Sequence, residues 1–194
     1  IRAKQTHNYY PKIDIAFSQK ISKEWLIDVK RKLSKKNAVE SQYQLAMLLA
    51  VNPWLDKQPE KGIKLLKKLA AQQHAPAMYL LGSRYYFHNH QDIKLGLHYI
   101  SQAAKYNYAP AEYRLAKLLL TSPWVKKDEK KALFWLESAA EKQLQPAILK
   151  AAELRLTAQN KDLHDSKIAK YWLQQLEWQH TFSDDYERMT SLDK

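Results

Sequence analysis

The chain has no cysteine, only three glycines among its 194 residues, and no apolar run approaching the roughly 18 residues that cross a bilayer as a helix. Without cysteine there is no disulfide framework, no thiolate-held zinc or iron–sulfur site and no thiol nucleophile. Three glycines and seven prolines are few for an all-β or loop-rich protein. Neither a phosphate loop nor a G-x-S-x-G sequence occurs. Ala, Leu, Lys, Gln and Glu dominate instead, all good helix formers, alongside 45% hydrophobic residues. Length and composition fit one elongated all-α domain.

Acidic residues are also scarce. The net charge is +12, with ten Lys or Arg against three Asp or Glu in residues 1–38, eight against four in 39–108 and fourteen against thirteen in 109–194. A basic N-terminal half can attract an anionic polymer or an acidic membrane surface, although lysines scattered along amphipathic helices are usually a solvated face. The chain opens IRAKQTHNYY, without Met, which fits a cleaved signal peptide, a removed membrane anchor or an excised segment. On that ground export is expected ahead of the cytoplasm.

What is present is a repeat. HAPAMYLLGSRYY (74–86), YAPAEYRLAKLLL (108–120) and LQPAILKAAELRL (144–156) share a Pro-Ala start, and VESQYQLAMLLAV from residue 39 matches them without the proline. The copies begin near Val39, Ala75, Ala109 and Gln145, at intervals of 36, 34 and 36 residues, a period that signals a solenoid. Small residues recur at one position of the first helix (Ala46, Gly82, Ala116, Ala152) and one of the second (Gly62, Gly96, Ala132, Ala169). All three glycines fall in these columns. Glycine in a helix costs about 1 kcal/mol against alanine, so its use there predicts a close backbone approach. Bulky residues beside it, Leu81 and Leu115 in first helices and Tyr99, Trp135 and Trp172 in second helices, predict two antiparallel helices interlocking large against small. Pro76, Pro110 and Pro146 mark first-helix starts, and Asp92, Asp128 and Asp165 stand where the second helices need caps.

AMYLLGSRY (77–85) and DEKKALFWLESAA (128–140) resemble the two halves of the Sel1-like repeat, a relative of the tetratricopeptide repeat. The resemblance covers residues 39 to about 180. It departs from the family where the glycine-rich interhelical loop is replaced by Pro53-Trp54 and Pro123-Trp124, and where Arg155 takes a position usually apolar or Tyr. It implies a right-handed α/α solenoid of stacked helix-turn-helix repeats, with copies at 39–74, 75–108, 109–144 and 145–180. Residues 1–38 would form a basic N-terminal segment and capping helix, with Ile21, Trp25, Leu26, Val29 and Leu33 on one stripe, and 181–194 a capping tail.

The resemblance further implies a non-enzymatic scaffold or adaptor that binds a protein or peptide in the concave groove of the first helices, in a bacterial envelope or secretion-type assembly. The groove residues carried over are Tyr43, Met47, Tyr79, Ser83, Tyr86, Tyr113, Lys117 and Leu120. A tyrosine stripe suits an extended ligand, and it equally suits packing between neighbouring copies; both readings stand on the sequence. Trp54 and Trp124 are expected to seal their own hairpins. The competing reading of function is an anionic polymer, exported polysaccharide or RNA, held by the basic N-terminal half, with nucleic acid the less expected of the two. No cofactor is expected. FHNHQDI (87–93) puts His88, His90 and Asp92 at H-x-H-x-D spacing, but the further His of that metal site is missing, and a polar turn with a helix cap is the expected reading. Adjacent carboxylates such as Asp128-Glu129 diverge by about 100° on a helix and suit its positive end rather than one scissile bond.

Overall fold

Each copy begins where proline can begin a helix, because a first-turn residue has no intrahelical partner for an N–H. The structure, a computed structural model, describes residues 24, 28, 31, 38–51, 59–88 and 92–176. The helices are α1 (Ala38–Val51), α2 (Pro59–Ala71), α3 (Ala75–His88), α4 (Ile93–Lys105), α5 (Ala109–Thr121), α6 (Glu129–Glu141), α7 (Gln145–Thr157) and α8 (166–176), with a 3-10 turn at Lys161–Leu163 before α8. Among the described residues there is no strand. The fold is an all-α solenoid of helix-turn-helix repeats. The stripe from Ile21 to Leu33, the Pro53-Trp54 loop and residues 181–194 lie outside the described residues.

The chain divides into two compact units, Ile1–Leu69 and Ala70–Lys194. In the first, α1 and α2 meet at Gly62, where an added Cβ would lie 2.6 Å from the backbone nitrogen of Ala50 and 3.0 Å from the carbonyl oxygen of Ala46. Ala46, Leu66 and Leu69 are fully buried.

In the second unit the helices from α3 to α7 pack one on the next in chain order. A Cβ on Gly82 would lie 2.9 Å from the Gly96 carbonyl oxygen, and one on Gly96 would lie 2.7 Å from the Tyr86 nitrogen. Ala116, Ala132, Ala152 and Ala169, the same two columns in the later copies, are at most 1% exposed. Between these contacts sit the large core residues Leu81, Ile100, Leu136 and Ile148, each fully buried.

The corner from one copy to the next uses a left-handed residue without glycine. Asn107 and Gln143 have φ of 60° and 61°, and Gln73 has 63°. Asn107 N–H donates to the Ala104 carbonyl at 2.9 Å and Tyr108 N–H to that of Ala103 at 3.3 Å; Gln143 and Leu144 repeat this onto Ala140 and Ala139. These paired bonds end the helix in a Schellman motif. Tyr108 and Leu144 are at once the N-caps of α5 and α7, so three residues complete each turn. At the other end of the hairpins, Asp128 Oδ1 accepts Lys131 N–H at 2.9 Å, and Asp165 Oδ1 accepts Lys167 and Ile168 N–H at 3.0 Å. Asp92 departs from this expectation: it holds the N-cap position of α4 with no side-chain cap hydrogen bond, its backbone (φ −115°, ψ 25°) lying outside the extended region that Asp128 adopts.

Gly82→Leu is expected to destabilise the protein by about 3 kcal/mol or more, since the new side chain must displace the α4 backbone. Thermal melting checks this; an unchanged midpoint would show that α3 and α4 do not meet there.

Candidate functional site

On a first helix, the residues three before, one after and four after the small position share a face. In the second unit this face carries Tyr79, Ser83 and Tyr86 from α3, Tyr113, Lys117 and Leu120 from α5, and Leu149, Glu153 and Leu156 from α7. Tyr79 is half-buried, its ring edge-on to Tyr108 with centroids 5.6 Å apart. Tyr113 is half-buried against the core cluster that runs through α5, α6, α7 and α8, as is Leu120. The Lys117 ammonium, exposed, stands 5.8 Å from the Tyr113 ring centroid, a cation–π distance. Ser83 Oγ is buried, with no hydrogen-bond partner among the described residues. Tyr86 is buried, and its hydroxyl lies 2.6 Å from Ser122 Oγ of the next copy. In the first unit Tyr43 is half-buried and Met47 is exposed.

Leu149 and Leu156 were open to the same sequence argument and belong in the set: they are 54% and 50% exposed, large apolar residues continuing the Tyr113 and Leu120 columns. Extending the repeat alignment by one copy is the signal that finds them. Glu153 is exposed beside them and pairs with Lys150 at 2.7 Å.

Tyr108 borders this face. Burial first, and then the neighbouring Tyr79, raise its phenol above the ordinary pKa of 10.0, because both disfavour a phenolate.

Trp124 corrects an expectation. It does not seal its hairpin; it is 65% exposed. Ser122 Oγ accepts the Trp124 N–H at 3.1 Å while engaging Tyr86, so a ring from the preceding copy holds the loop end that the indole would have covered.

The buried charges are structural. Glu112, fully buried in the first turn of α5, accepts from Lys142 Nζ through both oxygens at 2.9 Å and from Ser138 Oγ at 3.0 Å. Its counterparts Met78 and Ile148 are apolar, so nothing in the repeat pattern announces an ion pair. Arg155, the departure from the repeat, bonds Glu137 through Nε at 2.9 Å and the Leu163 carbonyl at 3.2 Å, tying α6, α7 and the 3-10 turn together. A polar depression lined by Lys127, Asp128, Glu129, Lys130, Gln159 and Asn160 lies between two hairpin loops. Its groups are engaged in joining those loops: Glu129 accepts Asn160 N–H at 3.1 Å and Lys127 donates to Gln159 at 3.0 Å. Among the described residues no group of three His, Asp or Glu could hold a metal ion, and no helix is long and apolar enough to cross a membrane. The side chain of His88 and all of His90 fall outside the described residues.

Compared with known proteins, the sequence matches the Sel1 repeat family over residues 39–74, 75–105 and 109–144, more than half of the chain. No curated protein matches it. Among solved structures it is similar to a Sel1 repeat protein from Oxalobacter formigenes, with a TM-score of 0.66 and 20% identity over 77% of this chain and 63% of that one. A protective antigen of uropathogenic Escherichia coli with an SLR fold gives a TM-score of 0.58 and 28% identity over 77% of this chain and 31% of that one. A Pseudomonas aeruginosa protein gives 0.56 and 19% over 79% of this chain and 58% of that one. The chain thus spans less than two thirds of each of these relatives.

Two outcomes are expected. Lys142→Met should cost about 3 kcal/mol, leaving the Glu112 carboxylate buried and uncompensated, whereas Lys142→Met with Glu112→Met should recover most of the loss, as the apolar counterparts do; chemical denaturation distinguishes the two. For Tyr108 the folded pKa is the higher one, so its contribution is whole below pH 10.0 and is lost as pH rises through the folded value. Tyr108→Phe should therefore lessen the alkaline loss of stability, read by denaturation at paired pH values.

Proposed function

We propose that this chain, which belongs to the Sel1 repeat family, is a non-enzymatic scaffold that binds a protein or peptide on the first-helix face of its second unit. The observation that carries this reading is the row Tyr79, Tyr113 and Leu149, the last 54% exposed, beside Lys117 and Leu156. Large apolar residues left half open at one register of three successive first helices give an extended ligand an anchor per copy. Lys117 and Glu153 give it polar contacts that fix direction. Tyr86 lies too deep to take part.

Rigidity is the mechanism. The helices are locked by backbone contact and by Schellman corners, so the surface is formed before the ligand arrives and less entropy is lost on docking. The setting we assign is a bacterial envelope or secretion-type assembly. In support stands the 28% identity to a protein that in Escherichia coli is a protective antigen.

Tyr79→Ala with Tyr113→Ala should weaken binding of a partner recovered with the chain at least about tenfold, since a central interface aromatic is typically worth about 2 kcal/mol. Iodination of the free protein should substitute both rings, at the carbons ortho to the hydroxyls. Protection of both, with unfolding of the double variant, would assign these tyrosines wholly to packing between copies.

A further inference from the structure

A second surface repeats more regularly than the first. In the second unit, two residues after the small position of each second helix stand His98 on α4, Phe134 on α6 and Tyr171 on α8, and all three rings are exposed, Phe134 by 62% and Tyr171 by 52%. Each is followed in sequence by an inner ring that it meets nearly edge to face. His98 and Tyr99 have centroids 5.8 Å apart at 70°, Phe134 and Trp135 5.0 Å at 73°, and Tyr171 and Trp172 5.1 Å at 61°. The inner ring packs inward and holds the outer one in place. One turn before each outer ring is a lysine, Lys94, Lys130 or Lys167, exposed and with no acidic partner among the described residues; Lys170 is another. The carboxylates nearest to them on α6 are taken up elsewhere, Asp128 by Lys131 at 3.1 Å and Glu137 by Arg155 at 2.8 Å, and Glu141 stands two turns beyond Phe134.

We infer that this second-helix face docks on an anionic phospholipid bilayer, the outer rings entering the headgroup region and the lysines meeting lipid phosphates. Fixed, exposed rings beside unpaired ammonium groups complement an anionic interface that is apolar beneath. The same pair recurs on three successive second helices, which asks for a partner that is itself laterally uniform, as a bilayer is and a folded protein is not. Leu95, next to Lys94 and 39% exposed, favours lipid over single-stranded nucleic acid, because an aliphatic side chain can enter the interface but offers no ring for a base to stack on. Lysine stems lie along the apolar layer while their charges stay at the phosphates.

The test is flotation of the full chain with vesicles of phosphatidylglycerol in phosphatidylcholine, and with phosphatidylcholine alone. Binding is expected to the anionic vesicles only. It should weaken by roughly fivefold per lysine removed, and so by about 600-fold in Lys94→Gln, Lys130→Gln, Lys167→Gln, Lys170→Gln combined, a variant that touches no packed residue. Phe134→Ser with Tyr171→Ser should weaken it as well. In Phe134→Trp, the added fluorescence should shift to the blue on anionic vesicles and be quenched by lipid brominated on its acyl chains. Absence of binding to anionic vesicles would overturn the inference. So would equal binding by all variants, which would place the contact in basic residues 1–38, or an unquenched Phe134→Trp signal. Tighter binding of oligo-dT than of vesicles, lost in the ring variant, would overturn it in favour of nucleic acid.

Discussion

Backbone touches backbone where the two helices of a copy cross. At Gly82 and Gly96 there is no room for a methyl group, and at the alanine pairs there is room for little more. Everything larger is thereby displaced to defined places. Leu81, Ile100, Leu136 and Ile148 fill the space beside the crossings. A core so rich in alanine draws its stability from many short dispersion contacts rather than a few large side chains, so it is sensitive to changes of a single methyl.

The same constraint leaves the tyrosines packed on one side and open on the other. Tyr79 gives one side of its ring to Tyr108 at the start of the next copy, and Tyr113 rests on the cluster shared with α7, yet both keep part of their surface open. A ligand on that surface would press on the joint between copies and raise stability by mass action. Second helices divide the work differently: Trp135 and Trp172 pack inward while Phe134 and Tyr171 remain outside, so adhesion and cohesion fall to neighbouring residues.

The helix-crossing geometry was legible in the sequence because small residues spaced at one register are a direct imprint of distance. Proline starts and two of the three aspartate caps were legible for the same local reason. The corners were less so: Gln73, Asn107 and Gln143 adopt the left-handed conformation that glycine ordinarily signals, and no glycine marks them. Glu112 was hidden because its cation is 30 residues away and its counterparts are apolar. Average burial of tryptophan misled at Trp124, where a tyrosine hydroxyl from the preceding copy decides the matter. Leu149 and Leu156 were legible on the first-helix face, since the same repeat alignment reaches them one copy beyond Tyr113 and Leu120.

Glu112 opens its copy and Lys142 closes it, one at the start of α5 and the other at the cap of α6. A gene segment bounded by residues 109 and 144 therefore travels with its charges already neutralised. A segment of equal length cut from the middle of α4 to the middle of α6 would carry the carboxylate without its ammonium and bury it bare. Unequal crossing-over can lengthen this array from the first frame and is barred from the second, so a single ion pair sets the reading frame in which the protein can grow by duplication.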